Sequence, residues 1–274
     1  MKYKGVGAVL AAAKLGVVLA GLAVCRIGPL PRPPGGASGG APRILCKEVN
    51  RVSEALGCGS IEFDLGLTRD GVLVVTHDRT WRGRALRSLA YEEVREVYPS
   101  LEGYVEGLAR AGLSFDTVNL DLKERNLSFR RRRWAGILDA HRPSLDRLAA
   151  LSGRLVFSSP VPPVYAQLHE YIRSRRLESR GWWPGLELVD YTSSQARAWG
   201  LPLSRLERFL LPLARGASSA YWRVYRDSIP YVLVQEQTAA SLASGPRARV
   251  LCWTREPAPG EPPPSCDQTT RRRS

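Results

Sequence analysis

Residues 60–67, SIEFDLGL, alternate apolar and polar side chains, yet the polar ones include a glutamate and an aspartate. A β-strand sends successive side chains to opposite faces, so Ile61, Phe63 and Leu65 share one face and Glu62 and Asp64 the other. Such a strand needs an apolar layer on one side and, on the other, a setting that holds carboxylates. The pattern returns in TVNLDLK (117–123), with Val118, Leu120 and Leu122 on one face and Asn119, Asp121 and Lys123 on the other. The segment VLVVTH (72–77) ends in His77, one of three histidines in the chain, and Asp70-Gly71 is the turn that joins it to the first strand.

Further strand-like segments are RILC (43–46), RLVFSS (154–159), LELVDY (186–191), one within 220–235, and RVLCWT (249–254). Between them KEVNRVSEAL, YEEVREVYPSLEGYVEGLARAG, FRRRRWAGILDAH, PVYAQLHEYIRSRR and LSRLERFLLPLARG carry helical periodicity. Strands separated by helices imply a parallel sheet. About eight strands over residues 43–255 fit a compact (β/α)8 TIM barrel, with a doubly wound open sheet as the alternative. In a barrel the chemistry gathers at the C-terminal strand ends, where these strands aim three carboxylates, a lysine and His77 at one rim. Buried carboxylates without partners cost several kcal/mol each (about 2–7 for a polar group). One lysine does not neutralise three acids. A divalent cation with hard oxygen ligands, Mg²⁺ or Ca²⁺, resolves their repulsion. His141 and His169 fall in helical stretches, and His141 reads as a surface residue.

The remaining chain suggests a tethered domain. From Gly5 to Cys25 the sequence is apolar and small apart from Lys14. A bilayer needs about 20 such residues, so 1–27 reads as a signal anchor, or as a signal peptide whose apolar core starts at Leu15. Residues 28–42 are a Pro/Gly/Ser-rich linker and 256–274 a non-core basic tail. The formal charge of +14 suits anionic headgroups or phosphate-bearing substrates; no nucleic-acid motif accompanies it. The positive-inside rule leans toward an extracytoplasmic domain at a membrane. Of the five cysteines, Cys46, Cys58, Cys252 and Cys266 lie outside the anchor; they allow two disulfides or buried thiols, and no zinc spacing is present.

These residues resemble the glycerophosphodiester phosphodiesterase family of metal-dependent TIM-barrel enzymes. IEFDLGLTRDGVLVVTHD is similar to that family's Glu-x-Asp, its Asp-Gly turn and its strand ending in His-Asp. VNLDLKE resembles the next strand, with Asp121 where the family has glutamate, and VLCWT resembles a late strand ending Trp-Thr. The resemblance implies a phosphodiester hydrolase with Glu62, Asp64 and Asp121 on the metal and His77 as one of two acid/base histidines. It implies Lys123, with Lys47 and Trp253, on the substrate. The family's first strand ends in His-Arg-Gly, which is absent; its place falls near Cys46 or Lys47. KEVN (47–50) and DLK (121–123) look like the sphingomyelinase D-like branch, with Lys47 where histidine stands. A protonated lysine there can bind phosphate or donate a proton but is a poor base. Two readings follow: an active phosphodiesterase at a membrane, or a catalytically impaired barrel that keeps the pocket and binds a phosphorylated ligand.

Overall fold

The structure, a computed structural model, describes residues 43–122, 133–188, 229–235 and 249–253, together with positions 30, 222 and 225. Its strands are β1 (Arg43–Leu45), β2 (Ser60–Leu67), β3 (Leu73–Val75), β4 (Thr80–Trp81), β5 (Arg84–Ala85), β6 (Thr117–Leu122), β7 (Leu155–Ser159), β8 (Trp182–Glu187), β9 (Tyr231–Gln235) and β10 (Arg249–Trp253). The helices are α1 (Leu101–Arg110), α2 (Arg133–Ala140), α3 (Arg142–Ala150) and α4 (Pro162–Ser174).

The main sheet runs β1-β10-β9-β8-β7-β6-β2-β3, parallel at every pairing except β2 with β3. Its two ends meet. Cys46, just past β1, bridges Ile61 of β2 in parallel, through Cys46 N–H to Ser60 C=O (3.0 Å) and Glu62 N–H to Cys46 C=O (2.8 Å). Among the described residues, seven parallel strands therefore form a closed ring. Following the registers shows how it is sheared. Asp64 pairs with Asp121, Asp121 with Ser158, Ser158 with Gly185, Gly185 with Tyr231 and Tyr231 with Arg249. Arg249 lies two residues before Leu251, the partner of Arg43; Arg43 lies three before Cys46, and Cys46's partner Ile61 lies three before Asp64. The circuit thus returns to β2 well below its starting point, as tilted strands in a barrel require.

Alternation fills the two sides of the ring differently. Ile61, Phe63, Val118, Leu120, Leu155 and Phe157 point outward into a continuous core with Leu138, Leu145 and Leu168 of the helices. Each large side chain so buried contributes roughly 1.5–3 kcal/mol. Inside the ring a separate cluster holds Val156, Trp183, Tyr231 and Leu233. A Cβ on Gly185 would lie 2.7 Å from Leu233 Cδ1 and 2.8 Å from Val156 Cγ1, so glycine is what lets the interior close at that level.

Local chemistry explains the helices. Ser100 Oγ accepts the Gly103 N–H (3.1 Å) to start α1, whose Leu101, Tyr104, Val105 and Leu108 make one buried face at helical spacing. Proline in the first turn opens α3 and α4.

Several expectations change. The strand segment around 73–75 is antiparallel and stands outside the ring, paired to the upper end of β2 on one side and bridged from Val74 to Ser100 on the other. KEVNRVSEAL is not a helix; only Val52–Ala55 makes a 3-10 turn, because Cys46, Glu48 and Val49 are held by β2. The stretch from Tyr91 is split at Pro99, with a 3-10 turn at Tyr91–Glu93 and α1 beyond. The strand expected at 186–191 is β8, which starts earlier, at Trp182, and carries Pro184 and Gly185 within it. LSRLERFLLPLARG and the expected segments 1–27, 28–42 (apart from position 30) and 256–274 lie outside the described residues. Among the described residues no helix is long and apolar enough to cross a membrane.

Candidate functional site

Register alone brings the acids together. Asp64 and Asp121 are direct partners on β2 and β6, and Glu62 sits opposite Asn119 one inward position below. One carboxylate oxygen from each of Glu62, Asp64 and Asp121 lies within 4.8 Å of the others. All three residues are buried, at 4 %, 0 % and 3 % exposure, which takes the bulk of the screening water away. Beside them the interior turns neutral: Asn119 Nδ2 donates to Ser158 Oγ (3.0 Å). Three buried carboxylates this close repel one another. Their oxygen-only donor set, on rigid strands, fits a hard divalent ion such as Mg²⁺ or Ca²⁺.

The β2–β3 hairpin returns the chain to this level. After Leu65 pairs with Val75, the Thr76 N–H donates to the Asp64 C=O (3.0 Å), which leaves His77 as the next residue at the rim, half-buried. Its neighbours are fixed on both sides. Asp78 N–H donates to Thr76 Oγ1 (2.9 Å), and Tyr98 Oη donates to Asp78 Oδ2 (2.8 Å). Burial, and then the Asp78 carboxylate, push the Tyr98 phenol up to about 12. His141, expected on the surface, instead pins the hairpin tip: its Nε2 lies 2.9 Å from the Gly71 carbonyl and 3.3 Å from the Leu73 N–H.

Across the β1–β2 seam the rim is built another way. The ladder after Cys46 carries one extra residue, so it is Val49 N–H, not that of Glu48, that donates to the Glu62 C=O (3.0 Å). This bulge puts Glu48 at φ +56°, a left-handed conformation that costs a side-chain-bearing residue about 1–2 kcal/mol. The released Glu48 N–H turns to the Glu62 carboxylate (Oε2, 3.2 Å). Lys47 Nζ pairs with Glu48 Oε1 (3.2 Å) beside it. A disulfide from Cys46 to Cys58 and a hydrogen bond from Tyr104 Oη to the Val49 C=O tie the corner down. Burial raises the Tyr104 phenol above its ordinary range.

Glu62, Asp64 and Asp121 are therefore gathered into one cluster; His77 follows Thr76, whose N–H reaches the Asp64 C=O, and Lys47 pairs with Glu48 at the seam. Lys123 lies outside the described residues. Trp253 is placed by backbone register only, opposite Leu45 and Gln235 at the last position of β10. Sequence reasoning missed the Glu48 N–H, Tyr98, Tyr104 and the Cys46–Cys58 pair. Only the cysteines left a signal, and it did not fix their pairing.

Comparison with known proteins bears on this arrangement. The sequence model of the "Glycerophosphoryl diester phosphodiesterase family" matches residues 51–127. No curated protein matches the chain. Among solved structures the chain is similar to a phosphodiesterase of Oleispira antarctica in complex with the product sn-glycerol-3-phosphate, at 15% identity over 79% of this chain and 86% of that one, TM-score 0.47. It is also similar to a glycerophosphodiester phosphodiesterase of Thermotoga maritima (14% identity, 85% and 92% coverage, TM-score 0.45) and to one of Agrobacterium tumefaciens (14%, 77% and 96%, 0.39). The matched segment, residues 51–127, contains the acidic triad and the His77 hairpin, and over it the chain is similar to the glycerophosphoryl diester phosphodiesterase family.

Proposed function

We propose that this chain is a divalent-metal-dependent phosphodiesterase acting on glycerophosphodiesters, or on the headgroup side of phospholipids, at a membrane surface. The observation that carries the reading is the buried Glu62–Asp64–Asp121 triad at the strand ends of a parallel ring, with His77 returned to its level. The triad would hold Mg²⁺ or Ca²⁺, and such an ion, when bound, supplies charge stabilisation for a phosphoryl group. His77 would exchange a proton with an attacking or departing oxygen. Lys47 adds positive charge at the seam for a phosphate oxygen; Lys123 and Trp253 complete the substrate-binding set. The apolar segment 5–25 and the charge of +14 support tethering beside anionic lipid, with the domain on the extracytoplasmic side. The disulfide agrees with an oxidising compartment.

Assay of purified protein with sn-glycero-3-phosphocholine and either ion tests this. Expected is ion-dependent release of sn-glycerol-3-phosphate and choline, abolished by Glu62→Ala. Release that persists in that variant, or in chelator, contradicts it.

The β1 corner favours a second reading. With Lys47 and Glu48 in place of an imidazole, the pocket would bind a phosphorylated ligand and turn it over weakly or not at all. Ligand binding by calorimetry without product at any pH between 5 and 9 would support that reading over the first. A sphingomyelinase D-like choice of phospholipid substrate is distinguished by its choline product from sphingomyelin.

A further inference from the structure

Glu187 is the last residue of β8, half-buried, and no role above uses it. Its direction follows from Gly185, two residues earlier. The space a Gly185 side chain would enter is occupied by Leu233 Cδ1, Val156 Cγ1 and, 3.4 Å away, Ser158 Cβ. That is the interior of the ring, and a period of two puts Glu187 on the same, inward face. Its height follows from the shear. Asp121, Ser158 and Gly185 are successive register partners of Asp64, and each register step around this ring falls toward the strand starts. The residue of β8 level with Asp64 therefore lies beyond Gly185, and Glu187 is the inward residue there. Its position around the ring follows from strand order: β8 is three strands from β2 by way of β6 and β7 and four by way of β9, β10 and β1. Glu187 thus stands at the height of the acidic triad on the opposite wall. Beneath it Val156 and Leu233 are buried in the interior cluster, so a ligand rests above a neutral floor.

We infer that Glu187 sets the substrate preference of this mouth, selecting diesters whose second alcohol carries an ammonium group. The inference rests on the phosphodiesterase reading. With the phosphate held on the β2–β6 side, the alcohol esterified to it reaches across the ring toward β8. A carboxylate on that wall attracts an ammonium, is nearly indifferent to a hydroxyl and repels a second anion. The interior of a barrel of this size is spanned by one small ligand, so both ends of the diester are read at once.

The test compares sn-glycero-3-phosphocholine with sn-glycero-3-phosphoglycerol, using full-length wild type and the near-isosteric Glu187→Gln. Wild type is expected to favour the choline ester in kcat/KM, and Glu187→Gln to lower the choline-to-glycerol ratio about tenfold, mostly through KM. Glu187→Lys, as a second variant, should reverse the preference. Matching unfolding midpoints show that the variants fold. A ratio unchanged by either substitution, in enzyme that hydrolyses both esters, overturns the role of Glu187 and leaves the phosphodiesterase reading standing. Failure of the wild type both to hydrolyse and, by calorimetry, to bind either ester removes that reading and this inference together.

Discussion

Two strand ends meet at the β1–β2 seam and reach the rim by opposite means. β2 runs straight for eight residues, carries Glu62 and Asp64 inward, and continues into a hairpin that returns His77. β1 stops after three residues, the chain bulges at Glu48, and the corner is fastened by a disulfide, by Tyr104 and by three hydrogen bonds with Glu62. On the β2 side, ordinary strand alternation aims the functional groups. At the β1 corner, a conformation unfavourable for glutamate is held by its surroundings so that a backbone N–H, rather than an imidazole, faces the carboxylate cluster. Acid placement and proton-transfer chemistry are thus separable in this barrel. The first is seen in the Glu62–Asp64–Asp121 cluster; the second is, on the proposed function, assigned to His77.

The largest effects should come from the β2 side. Asp64→Asn leaves a shape-matched side chain yet should remove ion-dependent turnover, a loss of at least about 10³-fold given the several kcal/mol such an ion supplies. In ion-free buffer the same variant should unfold at a higher temperature than wild type, because one of three crowded charges is gone; wild type alone should then gain stability on adding Mg²⁺ or Ca²⁺. A wild type whose melting point ignores both ions would break the contrast at its stronger end.

His77→Ala should lower kcat by about 10²–10⁴-fold while leaving ion binding intact. If the rate survives, the proton work belongs to the β1 corner instead. Conversely, Lys47→His tests whether that corner lacks only an imidazole: kcat should rise about tenfold or more near neutral pH, and a flat result would show that the bulge, not the residue type, sets the limit.

Opening Cys46–Cys58 by Cys58→Ala should cost about 3 kcal/mol of stability, for the short loop it closes, with a further rise in KM as the bulge loosens. Urea unfolding and steady-state kinetics on the same preparation separate the two. The smallest effect belongs to Tyr98. Its phenol is raised to about 12, above its unfolded value near 10, so its contribution to stability is whole below pH 10 and lost as pH climbs through 12. Tyr98→Phe should remove that alkaline step from an unfolding-versus-pH curve while moving kcat less than His77→Ala.

The legible parts of this fold are those that alternation controls. Glu62, Asp64 and Asp121 could be placed on one face because β2 and β6 are regular and fully buried, and the Asp-Gly turn marked the hairpin that returns His77. Where regularity fails, so does the reading. Nothing in CKEVN announces a left-handed glutamate, and the helical spacing of 47–56 gives way because Cys46 and Val49 are already bonded to β2. Pro184 and Gly185 hid the start of β8, although the glycine is required there by Leu233 and Val156. His141 looked like a surface residue because its partner, the Gly71 carbonyl, is seventy positions away.

The central claim is that the Glu62–Asp64–Asp121 cluster binds a divalent ion that makes this barrel a phosphodiesterase. Product-detected hydrolysis of sn-glycero-3-phosphocholine by wild type and Asp64→Asn, titrated with Mg²⁺ and Ca²⁺, tests it most directly. The account predicts saturable, ion-dependent release of sn-glycerol-3-phosphate by wild type and none by the variant. Equal release by both proteins, or release indifferent to the ion, would contradict it.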